Sequence, residues 1–97
     1  MKYIVQVDID PSTGSALEGK PEQIQELVGK WEAHNPIGHY FSLTRRRITI
    51  IVEADNEDAL FEALHLTWDI TNSYPSVQAV VDFAEFPERL KRVGIGG

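Results

Sequence analysis

The sequence predicts an α+β domain: four strands in one antiparallel sheet, with two helices on one of its faces. Three observations carry that prediction. Two stretches, Lys2–Ile9 and Arg47–Ala54, alternate apolar and polar residues with the period of a half-buried strand. Two others, Pro21–Ala33 and the segment after Asn56, repeat apolar residues at helical spacing. Together with two shorter strands they give the order strand, helix, strand, strand, helix, strand.

The first strand places Tyr3, Val5, Val7 and Ile9 on one face and Ile4, Gln6 and Asp8 on the other. Asp10-Pro11 breaks it, because proline has no backbone donor and restricts the residue before it. Pro11–Gly19, PSTGSALEG, is rich in turn formers and lacks a period, so it is expected to be a loop. Its functional reading is a mobile flap over a pocket; its structural reading is a tolerated surface insertion. Pro21 then occupies a preferred first helical position, and Ile24, Leu27, Val28 and Trp31 follow as a buried stripe. His34-Asn35-Pro36 ends that helix, while Gly29 weakens it by roughly 1 kcal/mol relative to alanine.

Ile37–Leu43 is a second strand, turned back near Leu43–Arg46 onto the third. In the third, Ile48, Ile50, Val52 and Ala54 oppose Arg47, Thr49, Ile51 and Glu53. Asp55-Asn56 then supplies turn and capping chemistry, and Glu57 and Asp58 put negative charge where the helix dipole favours it. Leu60, Phe61, Leu64 and Trp68 form the stripe of the second helix, which ends near Asn72-Ser73-Tyr74-Pro75. Ser76–Glu85 is the fourth strand, with Val77, Ala79, Val81 and Phe83 on its inner face and Pro87 ending it. Glu88–Val93 has the length of one or two helical turns, and Gly94–Gly97 is expected to fray.

Two split βαβ units of this kind close most economically as a ferredoxin-like sheet. Its outer face would carry Ile4, Ile51 and Val80, and leaving them in water is costly, so a second copy is expected to cover them. At 97 residues the chain is one domain, 1–97. No cysteine is present, which excludes thiol chemistry, disulfides and cysteine-based metal sites. A net charge of −6 disfavours nucleic acid as a partner. With strand chemistry starting at Lys2 and no apolar run of membrane-spanning length, a cytoplasmic, membrane-free protein is expected.

The MKYIVQVDI strand, the ITIIVEADNEDALFEAL segment and the terminal VDFAEFPE resemble the dimeric α+β barrel superfamily, and within it muconolactone isomerase-like proteins. The resemblance implies a homodimer and a small organic ligand held between helices and sheet or between sheet and partner. It carries over no catalytic residue. Candidates come from the residues themselves. His39 points toward the helix side of its strand and titrates near neutrality. Tyr40, Arg47 and Asp82 fall on the opposite, more polar face, where an acid–base pair beside a cation could act on a small acid. Trp31 and Trp68 end the two helical stripes, where an indole could line a pocket mouth. Arg45-Arg46-Arg47 cannot form one clamp, since alternation sends Arg46 opposite to its neighbours. The spacing of His34, His39 and His65 matches no metal motif, so neither metal nor cofactor is expected. The function expected is binding of a small organic molecule. The alternative is a cofactor-independent isomerase or oxygenase acting on a lactone or aromatic-derived substrate, with His39, Tyr40 and Asp82 as catalytic groups.

Overall fold

In a computed structural model, which describes residues 1–96, four strands form one antiparallel sheet in the order β2-β3-β1-β4. They are β1 (Lys2–Asp8), β2 (Gly38–Phe41), β3 (Arg47–Glu53) and β4 (Ser76–Val80), and the helices are α1 (Pro11–Glu18), α2 (Pro21–Glu32), α3 (Phe61–Thr71) and α4 (Phe86–Arg92). Tyr3 opposes Val52 and Val5 opposes Ile50 across β1 and β3, while Val5 opposes Val77 across β1 and β4. These residues share one face of the sheet. That face meets Leu27 and Trp31 of α2 and Leu60, Ala63 and Leu64 at the start of α3 in a single core. Complete burial of Val5, Ile50, Val52 and Leu60 contributes about 1.5–3 kcal/mol for each side chain.

The β2–β3 reversal falls at the expected place: the Ser42 amide donates to the Arg47 carbonyl at 3.0 Å, closing a loop over 43–46. Asn56 caps the 3₁₀ turn Glu57–Leu60 by accepting from the Ala59 amide at 3.1 Å, which launches α3. Asn72 then ends α3 in the left-handed conformation, φ 54°, which asparagine tolerates better than most residues.

Four expectations need correction. The segment 11–19 is a helix and not a loop. Asp10 accepts from the Thr13 amide as its N-cap, Pro11 sits in the first turn, and the stretch buries Leu17. The buried face of α3 is rotated from the expected stripe: Ala63, Leu64, Thr67 and Thr71 face inward, and Phe61 is half exposed. β4 stops at Val80 because β1, its only partner strand, begins at Lys2, the residue opposite Val80. Phe83 therefore lies in a 3₁₀ turn, 90% exposed, and faces no helix. Finally, the tail does not fray at Gly94. With Gly94 at φ 80°, the Ile95 amide donates to the Leu90 carbonyl and the Gly94 amide to that of Lys91, a specified helix stop. Gly97 lies outside the described residues.

No helix among the described residues is long and apolar enough to cross a membrane.

Candidate functional site

α1 packs beside α2 and over the end of the sheet where β1 stops and the β2–β3 hairpin turns. Because α1 buries only Leu17 and Gly14, it does not fill the space beneath it. What remains is a cavity of about 320 Å³. Its walls are apolar: Ile9 and Leu17 on one side, Ile24, Leu27 and Val28 from α2, then Phe41, Ile48 and Ile70. Ile24 and Val28 belong to the expected buried stripe of α2 but are more than a third exposed, since the cavity replaces the packing partner they lack.

Polar groups enter this cavity at two places. On the sheet wall, His39 opposes Ile50 across β2 and β3, so its ring lies on the helix side of the strand. The Nδ1 atom of His39 stands 2.7 Å from Glu32 Oε1 on the last turn of α2. A carboxylate so placed orients the ring and favours the tautomer with its proton on Nδ1.

The second polar element is Arg46, at the edge beneath α1. Its guanidinium donates to the Pro11 carbonyl, to Ser15 Oγ at 3.3 Å and to Glu18 Oε1 at 3.0 Å. Its own carbonyl accepts from the Ile9 amide at 2.8 Å. One residue thus ties both ends of α1 to the sheet. The close approach requires Gly14, where an added Cβ would come within 2.3 Å of the Arg46 Cδ.

The six residues singled out from sequence separate into several places. His39 lies on the cavity wall. Tyr40 borders the same cavity, but its ring lies across Gly38, filling the position a Cβ would take. Arg47 makes a bidentate pair with Asp8 at 2.7 and 3.0 Å on the other sheet face. Asp8 is held below the usual carboxylate range by that hydrogen bond and the guanidinium charge. Asp82 pairs with Lys2 Nζ at 2.8 Å near the end of β4, and the Lys2 hydrogen bond likewise lowers its pKa.

Trp31 is 1% exposed and donates from Nε1 to Thr67 Oγ1 at 2.8 Å, joining α2 to α3 in the core. Trp68 belongs to an aromatic row on the outer side of α3 with Phe61, His65 and Tyr74, at centroid distances of 5.0–5.9 Å from it. Only His39 and Tyr40 of the six therefore share the cavity.

Sequence reasoning missed Arg46, Glu18 and Glu32. A signal for Arg46 existed, since strand alternation already set it opposite to Arg45 and Arg47. Glu18 carried no signal once its segment was read as a loop. Among the described residues, no cluster of three His, Asp or Glu side chains is placed to hold a metal ion.

This architecture, with its helical 11–18 segment and apolar cavity, extends over a sequence that matches the family described as domain of unknown function DUF3303 across residues 1–94. The chain belongs to the DUF3303 family. No curated protein and no solved structure matches this DUF3303 chain. Its cavity offers two carboxylate-paired groups and no spare cation, since Glu18 holds Arg46 and Glu32 faces His39. Chemically, such a space accommodates a neutral, largely apolar molecule better than an acid.

Proposed function

We propose that this DUF3303 protein is a cytoplasmic, ferredoxin-like homodimer that holds a small, largely apolar organic molecule in the cavity between α1, α2 and the β2–β3 hairpin. The observation that carries the reading is the cavity itself: about 320 Å³, walled by eight apolar residues and edged by the His39–Glu32 and Arg46–Glu18 pairs. A volume at the lower end of the range for small-molecule sites, with few convergent polar groups, is the usual form of such a site. The ferredoxin-like reading draws support from the order β2-β3-β1-β4, with α2 and α3 sharing one core against one sheet face. The homodimer reading draws support from Ile4, Ile51 and Val80 on the other face.

The test fills the space. Val28→Trp places an indole into the cavity from a half-exposed position on α2. Native mass spectrometry of the freshly purified protein, with calorimetric titration of small neutral aromatics and lactones, should detect a bound molecule in the wild type. The variant should bind at least tenfold more weakly at unchanged melting temperature. Equal binding by both, or none by the wild type, would remove the reading.

A second reading is favoured by one observation, the carboxylate-paired His39 on the cavity wall. An imidazole oriented by a carboxylate, with its Nε2 free of any protein partner among the described residues, is the arrangement of a general base. It fits the isomerase or oxygenase chemistry that the likeness to muconolactone isomerase-like proteins implies. His39→Asn separates the two in the same experiment. A binding protein keeps its ligand unchanged in either form, whereas an enzyme converts the ligand in the wild type and stops doing so in the variant.

A further inference from the structure

Residues 81–96 leave the sheet and do not return to it. α4 packs on the 3₁₀ turn Phe83–Glu85 that precedes it, without a substantial contact to the sheet or to α1–α3. The consequence is visible in three dimensions of the chain. Its extents are 56 × 26 × 19 Å, and its radius of gyration is 15.9 Å, against roughly 12.5 Å for a compact chain of this length. Its accessible surface is 6624 Å², about 1,000 Å² more than the roughly 5,600 Å² of a compact monomer of its mass.

This arm is nevertheless specified in detail. Phe83, Phe86, Leu90 and Val93 recur at i, i+3, i+7 and i+10, which is one apolar stripe. Phe83 is 90% exposed and Val93 70%. The pairs Arg89–Glu85 and Lys91–Glu88 brace the helix, and the Gly94 stop ends it. A seven-residue helix has too few hydrogen bonds to persist alone in water, so a stripe of this kind forms against a surface. The pair Lys2–Asp82 fixes the root of the arm at the β4 edge.

We infer that the arm clasps a second copy of this chain, in a reciprocal exchange across a two-fold axis. The inference rests on the homodimer proposed above and says how that dimer is held. Three observations select a second copy as the occupant. The excess surface matches what one partner buries in a standard interface, about 800 Å². The sheet has the complementary features at its other edge: Ile37, just before β2, and Tyr40 within it are both more than half exposed. A two-fold running along the strands lays the β4 edge of each copy over the β2 edge of the other, so both arms find an apolar seat at once. Charge agrees as well. Arg89 and Lys91 are paired within the arm, which leaves Arg92 in the last turn of α4 to face a body whose residues 1–80 carry twelve acidic groups against six basic ones.

The experiment is sedimentation velocity on the full chain at micromolar concentration, wild type against Phe83→Glu/Val93→Glu. Both positions are so exposed within one copy that the substitutions remove no core contact. The wild type should sediment at twice 10.9 kDa and the variant as a monomer, losing no more far-ultraviolet helical signal than the seven residues of α4 carry and keeping an unchanged cavity ligand. If the glutamates impair folding, Phe83→Ser/Val93→Ser should still raise the dimer dissociation constant at least tenfold. A variant as dimeric as the wild type overturns the clasp and leaves the homodimer standing. A monomeric wild type overturns both.

Discussion

At the scale of single residues, two sets of contacts do most to position the elements around the cavity, the Trp31–Thr67 bond and the bonds of Arg46. Trp31 and Thr67 are both buried, and their hydrogen bond is the only polar connection inside the core between α2 and α3 among the described residues. Thr67 Oγ1 also donates to the Ala63 carbonyl at 2.6 Å, so the hydroxyl is used in both directions. Replacing it with the isosteric valine leaves the indole N–H buried with no acceptor. Thr67→Val should therefore cost about 1–3 kcal/mol, read as a lower urea midpoint at unchanged slope, with Trp31 fluorescence as the probe. A smaller loss than 0.5 kcal/mol would mean that water reaches the indole. Arg46 does the comparable work at the surface, where solvent and salt weaken each of its bonds. Its effect comes from making three bonds to one short helix and from the Gly14 gap that admits it.

At the scale of elements, α1 is the piece whose stability is most local. It has eight residues, buries one large side chain and depends on its Asp10 cap. The Thr13 amide and hydroxyl both bond to the Asp10 carboxylate and hold it below its ordinary value. A depressed carboxylate contributes stability that is present above the unfolded value, about 3.9, and that is lost as pH falls through the folded value. On acidification below about pH 4, exchange of the Gly14 amide, which bonds the Asp10 carbonyl, should accelerate before that of the β1 amides. Asp10→Asn keeps a capping oxygen without the titration, so its Gly14 exchange should lose that pH dependence. If wild type and variant respond alike, α1 is held by Arg46 and Leu17 and the cap is secondary.

α1 was legible in principle. Aspartate before proline is a helix start, and Gly19 is a helix stop. Ser12, Thr13, Gly14 and Ser15 between them have poor helix propensity and no apolar period, so composition outweighed the end signals. The long strands were legible for the opposite reason. Each of β1 and β3 keeps its alternation for seven residues, and any slip would turn Val5 or Ile50 into water. The rotation of α3 was not legible, because Leu60, Phe61 and Leu64 fit two adjacent stripes equally well. The choice between them is made by Trp31, whose indole requires Thr67 to face inward.

At the scale of the molecule, one body and one arm coexist in a chain of 97 residues. The body closes a single core on one sheet face, and the other face keeps a mixed character, with the Arg47–Asp8 pair at one end and Lys2–Asp82 at the other. Each of these pairs depresses its aspartate, so both strengthen the fold above the ordinary carboxylate range and weaken as pH falls through the shifted values. Small-angle scattering of the Phe83→Glu/Val93→Glu monomer should give a radius of gyration well above the roughly 12.5 Å of a compact chain, near the 15.9 Å of the extended form. A compact value would mean that the arm folds back onto its own sheet.

By itself the sequence determined that four strands exist, the inward faces of β1 and β3, the two main helices and the absence of thiol chemistry, because each follows from periodicity or composition within a short window. It also set Arg46 and Arg47 on opposite faces, although not what each would meet. Only the tertiary structure decided the rest. It gathered Arg46, Glu18 and Gly14 under α1, set Glu32 beside His39, left Tyr40 bordering the same cavity, and scattered Arg47, Asp82, Trp31 and Trp68 away from it. It also ended β4 at Val80 and sent the arm outward. The physical reason is the same in each case. Alternation fixes which way a side chain points, but its neighbours come from segments distant in the chain, and those are chosen by the lengths of paired strands and the packing of whole helices.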